Sequence, residues 1–241
     1  MAEDRHSWDS VIRDLSKGHR CYAVDLRGHG ETTLGQPEGS AEQLAGDLTA
    51  FLEKVSGPAF CVGFSLGGVI VLEAALSRPD LVRKAVVVGT SSKVGRAAAA
   101  FFQERIGQLH TNIGDFREAL AADTDAQVVR NRDLLAQVAA QRVTAVGDGA
   151  GYENAARAMI AMAGEPLTER LKEIQVPVHI VQGTNDVFCP PKAADILREA
   201  MPSAIYAEIA DAGHLIAVDQ PKLLASEISR ALETQLPETQ K

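Results

Sequence analysis

Cysteine is scarce in this chain. The three present, Cys21, Cys61 and Cys189, are far apart and odd in number, so neither a disulfide framework nor a metal-binding spacing can be built from them. They read as reduced thiols, and no metal or organic cofactor is expected. No apolar run reaches 18 residues, which excludes a membrane-spanning helix. The opening stretch "MAEDRHSWDS" has no apolar signal core, and a cytoplasmic location is the expectation. Positive charge is in deficit: 24 Lys and Arg against 32 Asp and Glu give a formal net charge of −8, which argues against nucleic acid and anionic membranes as partners. No internal repeat is found. With 46% hydrophobic and 23% charged residues over 241 positions, the chain has room for one large globular domain, or a domain with an insertion.

What is present is an alternation of short apolar strands and helices. Trp8, Val11, Ile12 and Leu15 recur at helical spacing, with Ser7 placed to cap them. "CYAVDL" (Cys21–Leu26) reads as a strand, and the glycine-rich loop "RGHGETTLGQPEG" breaks it. Ser40 and Gln43 have the spacing of a capping box at the head of a helix carrying Leu44, Leu48, Phe51, Leu52 and Val55. Ala59–Gly63, Lys84–Thr90, Val176–Gly183 and Ala204–Ala210 read as strands. Gly67–Ser77, Pro191–Ala200 and Pro221–Leu232 read as helices. Strands apolar on both faces that alternate with helices predict an α/β architecture with a mostly parallel sheet covered on both sides.

The alternation is interrupted between residues 94 and 163, where "AAAAFFQERIGQLH", "AQVVRNRDLLAQVAA" and "YENAARAMIAMA" each suit a helix. The expected division is therefore 1–93 and 164–241 for the two parts of the core, with a helical cap at 94–163. Phe101, Phe102, Met159 and Met162 are read as core of this cap, with pocket lining as the alternative. Arg96, Arg105, Arg130 and Arg132 are read as solvated. The final "LPETQK" reads as a disordered tail.

The chemistry concentrates in Gly63-Phe64-Ser65-Leu66-Gly67, a G-x-S-x-G sequence between a strand and a helix. A serine at such a turn is held in a strained conformation with its hydroxyl raised above the sheet edge. The glycine on either side is expected to let strand and helix pack closely. The helix behind it offers free N–H groups to a developing negative charge, with the N–H of Leu66 as the natural first oxyanion donor and Phe64 beside the substrate. An activated serine needs a base, and the base an orienting acid. Asp186 follows the strand "VHIVQG" and His214 follows the strand "AIYAEIA", so both fall at carboxyl ends of parallel strands, on the same sheet edge as Ser65. Asp211 is the alternative acid, but it is too close in sequence to His214 to reach across easily. Cys189, three residues past Asp186, reads as a buried inert thiol.

These residues bring a resemblance into view. "DLRGHG" (Asp25–Gly30), the elbow "GFSLGG", a helical stretch after "AVVVG" and the late Asp and His together resemble the α/β-hydrolase fold superfamily over nearly the whole chain. The closest likeness within it is to small esterases, enol-lactonases and cofactor-free haloperoxidases. Serine at the elbow argues against the haloalkane dehalogenases and epoxide hydrolases, which use aspartate there. His29, in the RGHG loop, is read as structural. The resemblance also implies three earlier strands, the third ending in a His-Gly turn that gives a second oxyanion N–H. "MAEDRHSWDSVIRDL" matches the segment that comes after them. The expectation is an N-terminally shortened sheet with a gap closed by re-pairing or by another chain, a homodimer included. Three explanations stay open: a truncated hydrolase, a rearranged one whose second donor comes from Met1–Ser7, where Arg5 and His6 stand, or a relative that binds without turnover. The function implied is hydrolysis of a small ester or lactone through Ser65, His214 and Asp186. The alternatives are a silent relative that binds a ligand, and carbon–carbon bond hydrolysis or perhydrolysis with the same triad.

Overall fold

The structure is a computed structural model that describes residues 1–233, so the tail "LPETQK" lies outside the described residues. Four parallel strands form one sheet in the order β1-β2-β3-β4: Ala59–Phe64, Val82–Val88, Val178–Gly183 and Ile205–Ile209. β2 and β3 are buried along nearly their whole length, as expected of strands covered on both faces. Alternate residues divide the core. Ala85 and Val87 belong to the cluster containing Leu44, Leu72 and Leu197, whereas Val86 and Val88 join Val11 and Ile228. The helices that cover these two faces are α2 (Ala41–Phe51), α3 (Leu66–Ser77) and α8 (Pro191–Ala200) on one side. On the other are α1 (Asp9–Leu15) and α10 (Pro221–Glu233). α3 is apolar around most of its circumference, because it is packed between α2 and the sheet.

Ser40 caps α2 as its sequence suggests, its hydroxyl accepting from Gln43 N at 3.1 Å. The box is half formed, since the Gln43 side chain turns to Gln36 and Glu38. Three expectations are corrected. Ser7 does not cap the first helix; a 3₁₀ turn at Arg5–Trp8 precedes α1, and its cap is Asp4, which accepts from His6 N at 2.9 Å. Cys21–Leu26 forms no strand, and β1 pairs with β2 alone among the described residues. Tyr22 and Val24 stay 41% and 44% exposed, because a strand sequence without a neighbouring strand has nothing to complete its ladder or cover its outer face. Among the described residues, Cys21–Leu26 thus gains no strand partner.

The third correction lies between β2 and β3. Four helices fill this interval: α4 (Arg96–Thr111), α5 (Ile113–Gln127), α6 (Leu135–Val146) and α7 (Ala150–Ala161). "AQVVRNRDLLAQVAA" is therefore no single helix. The carboxylate of Asp219 accepts the backbone N–H groups of Val129, Arg130 and Asn131 at 2.9–3.2 Å, which stops α5 and holds the chain in a bend before α6. A tertiary partner here overrides a sequence with adequate helical propensity. The remaining short helix of the C-terminal part, α9, spans Ile216–Asp219. No helix among the described residues is long and apolar enough to cross a membrane.

Candidate active site

Ser65 stands at the end of β1 and caps α3 with φ 52° and ψ −118°, a conformation that L-residues with side chains avoid. Its neighbours hold it there. Ser65 N donates to Val88 O at 2.9 Å, and Ser65 O accepts from Gly68 N at 2.9 Å and from the Thr90 hydroxyl at 2.6 Å. The glycines divide differently from the motif's symmetry. A Cβ on Gly63 would overlap the carbonyl of Gly67, so this position requires glycine. A Cβ on Gly67 would meet nothing within 4 Å, and the second close approach belongs to Gly68, whose Cβ would lie 2.6 Å from that of Thr90.

The predicted partners come together. His214 Nε2 lies 3.1 Å from Ser65 Oγ, and His214 Nδ1 lies 2.8 Å from Asp186 Oδ2. With Nδ1 as the donor, Asp186 accepts from it, and Nε2 is left to face the hydroxyl. The other carboxylate oxygen, Oδ1, accepts from Phe188 N at 2.9 Å and Cys189 N at 2.8 Å, so Asp186 is fixed on both sides while fully buried. Phe64 packs on the His214 ring at 4.8 Å, and Phe188, which the sequence did not point to, stacks on it at 5.6 Å. Leu66 is the first residue of α3, where an N–H has no intrahelical acceptor. Asp211 is not part of this arrangement; it is exposed and lies 3.6 Å from Arg130.

A cavity of about 350 Å³ opens onto Ser65 and His214, between the sheet edge and helices α4–α7. Phe101, Phe102, Met159 and Cys189 line it, and Met162 does not, being part of the core below. Burial pushes the Cys189 thiol well above its ordinary pKa, in keeping with an inert thiol. Arg5 is bound to Asp25 and Glu31, and His6 is exposed beside Asp9; neither lines the cavity, which instead takes in Met1, Ala2 and Glu3. His29 is buried away from it, its ring held by the carbonyls of Arg27 and Met1. Among the described residues no group of three or more His, Cys, Asp or Glu side chains is placed to hold a metal ion.

Two buried groups had no sequence signal. Asp219 takes Gly213 N at 2.8 Å in addition to its three partners before α6, so one carboxylate ties the loop bearing His214 to the inserted helices. Arg142, on α6, reaches the cavity wall. Among the arginines read as solvated, Arg105 is instead buried, in a two-pronged pair with Asp123 at 2.8 and 2.9 Å and over the Phe101 ring.

The sequence matches the alpha/beta hydrolase family over residues 3–227. The chain belongs to that family. A pimeloyl-[acyl-carrier protein] methyl ester esterase of Nitrosomonas europaea is 26% identical over 241 residues, covering 91% of this chain and 87% of that protein. An esterase of Mycobacterium tuberculosis is 26% identical over 242 residues, covering 96% of this chain and 80% of the other. The fold matches the crystal structure of an enol-lactonase from Burkholderia xenovorans with a TM-score of 0.86 at 22% identity, over 97% of this chain and 88% of that one. This alpha/beta hydrolase is thus similar in sequence to esterases, and its described residues form a four-stranded parallel sheet.

Proposed function

We propose that the protein is a serine hydrolase that cleaves a small carboxylic ester or lactone. The observation that carries this reading is the hydrogen-bonded line Ser65–His214–Asp186 at the floor of a cavity of about 350 Å³. Ser65 Oγ attacks the carbonyl carbon while His214 Nε2 takes its proton, and Asp186 holds the imidazole in the tautomer that makes this transfer feasible. The N–H of Leu66 meets the oxyanion, favoured by the N-terminal end of α3. His214 returns the proton to the leaving alcohol, or to the ring-opened hydroxyl of a lactone. It then draws a proton from water, which attacks the acyl-enzyme and frees the acid. Helices α4–α7 act as the cap that shields the acyl-enzyme and shapes the pocket. A cytoplasmic location and a homodimer belong to the same proposal, the second checked by light scattering.

Turnover of p-nitrophenyl butyrate and of a γ-lactone by the wild type, Ser65→Ala, His214→Ala and Asp186→Asn tests it. Losses of about 10³-fold or more in each variant are expected. Unchanged rates in a folded Ser65→Ala protein would overturn it. A chain that binds such esters without cleaving them would favour a ligand-binding role.

A further inference from the structure

The arginines that this protein uses structurally come with a carboxylate. Arg27 grips Asp47, Arg105 grips Asp123 and Arg170 grips Glu73, each through two hydrogen bonds of 2.6–2.9 Å. Arg142 is different. It is the most buried of them, at 7% exposure, yet no carboxylate among the described residues lies within 4.0 Å of its guanidinium. Nη1 donates to the Thr124 hydroxyl at 2.8 Å and Nε to Ala2 O at 3.4 Å, both neutral acceptors, and Nη2 has no acceptor among the described residues. Glu3 and Asp123 lie near enough to favour the charge of this buried, forked donor but too far to accept from it, so donor capacity is left over for an anion.

Gln127 lines the same cavity at 4% exposure, and its side-chain amide makes no hydrogen bond among the described residues, with Oε1 shut off from solvent. The carboxylates nearby do not fill the role. Both oxygens of Asp123 are taken by Arg105, and Glu3, though it lines the cavity, stays beyond ion-pair distance of Arg142. Ser65 and His214 open onto the same space.

We infer that Arg142 and Gln127 form an anion subsite in the cap wall, and that the ester or lactone cleaved at Ser65 carries a carboxylate remote from its scissile carbonyl. Resting on the hydrolase reading above, this narrows the substrate to half-esters and lactones of dicarboxylic acids. Arg142 grips the free carboxylate through its outer edge, and Gln127 contributes an amide N–H.

The test compares mono-p-nitrophenyl esters of six- to eight-carbon dicarboxylic acids with p-nitrophenyl esters of monocarboxylic acids of equal length. At the best chain length the wild type should show a ratio of kcat/KM, anionic over neutral, of about tenfold or more. Arg142→Met should bring that ratio to about one, with Arg142→Lys between. A second arm measures the affinity of the free dicarboxylates for Ser65→Ala by calorimetry, with and without Arg142→Met; a loss of about tenfold or more is expected. If the wild type cleaves no ester, the hydrolase reading fails while this binding arm still decides the subsite. Should Arg142→Met not fold, Arg142→Lys and Gln127→Leu take its place. A wild-type ratio at or below one, an equal fall on both esters, or dicarboxylate binding indifferent to position 142 would each overturn the inference.

Discussion

Thr90 donates its hydroxyl to the carbonyl oxygen of Ser65 at 2.6 Å, tying the loop after β2 to the strained residue at the head of α3. Strain at a positive-φ serine persists only while its surroundings over-determine it. Thr90→Val keeps the shape and removes the donor. It should cost about 1–2 kcal/mol in a urea melt and lower kcat on p-nitrophenyl butyrate by about tenfold, because the Ser65 hydroxyl is no longer held in line with His214. Thr90→Ser should restore most of both.

Asp219 is 1% exposed and accepts four backbone N–H groups, from Gly213, Val129, Arg130 and Asn131. Asp219→Asn replaces one acceptor oxygen with a donor facing those N–H groups. A loss of at least about 2 kcal/mol is expected, together with a fall in kcat, since the loop bearing His214 loses its anchor. Asp211→Asn, on an exposed side chain, should stay within about 0.5 kcal/mol of the wild type. Chemical denaturation of the two variants side by side reads the contrast.

The glycines of the elbow should part company. Gly63→Ala sets a Cβ against the Gly67 carbonyl and is expected to abolish folding or activity. Gly67→Ala puts a methyl group into open space within the first turn of α3, and should be neutral or raise stability by about 0.5–1 kcal/mol. Soluble yield, thermal midpoint and turnover separate the two.

Thiol labelling at pH 8 has a defined order. Burial pushes the Cys61 thiol up to about 11 and Cys189 higher still. A raised thiol pKa leaves less thiolate, so both should resist Ellman's reagent in the native protein. Cys21 and Cys189 are both half-buried, so Cys21, whose thiol is raised less, should react first, Cys189 more slowly, and the buried Cys61 only after unfolding. Peptide mapping of the modified sites checks the order.

The line from Ser65 to Asp186 was legible because each member carries its own local signal: a serine between glycines at a strand-to-helix junction, then an Asp and a His just past buried strands. Strands β2 and β3 were legible for a similar reason, since burial on both faces leaves continuous apolar runs. Cys21–Leu26 has the same composition, but a strand also needs a neighbour, and the sequence of one segment does not say whether the other exists. α5 was missed because its end is set by Asp219, some ninety residues away. Arg142 and Gln127 were missed because an arginine or glutamine on an amphipathic helix looks the same whether it meets water or a cavity. Only the packing of α5 against α6 distinguishes the two.

The most direct measurement is the intact mass of the protein after reaction with a fluorophosphonate, beside a Ser65→Ala control of matched fold. The account predicts one adduct on the wild type and none on the control, because only a serine activated by His214 and backed by an oxyanion donor is phosphonylated readily. A folded wild type that stays unlabelled, or a control that labels equally, would contradict it.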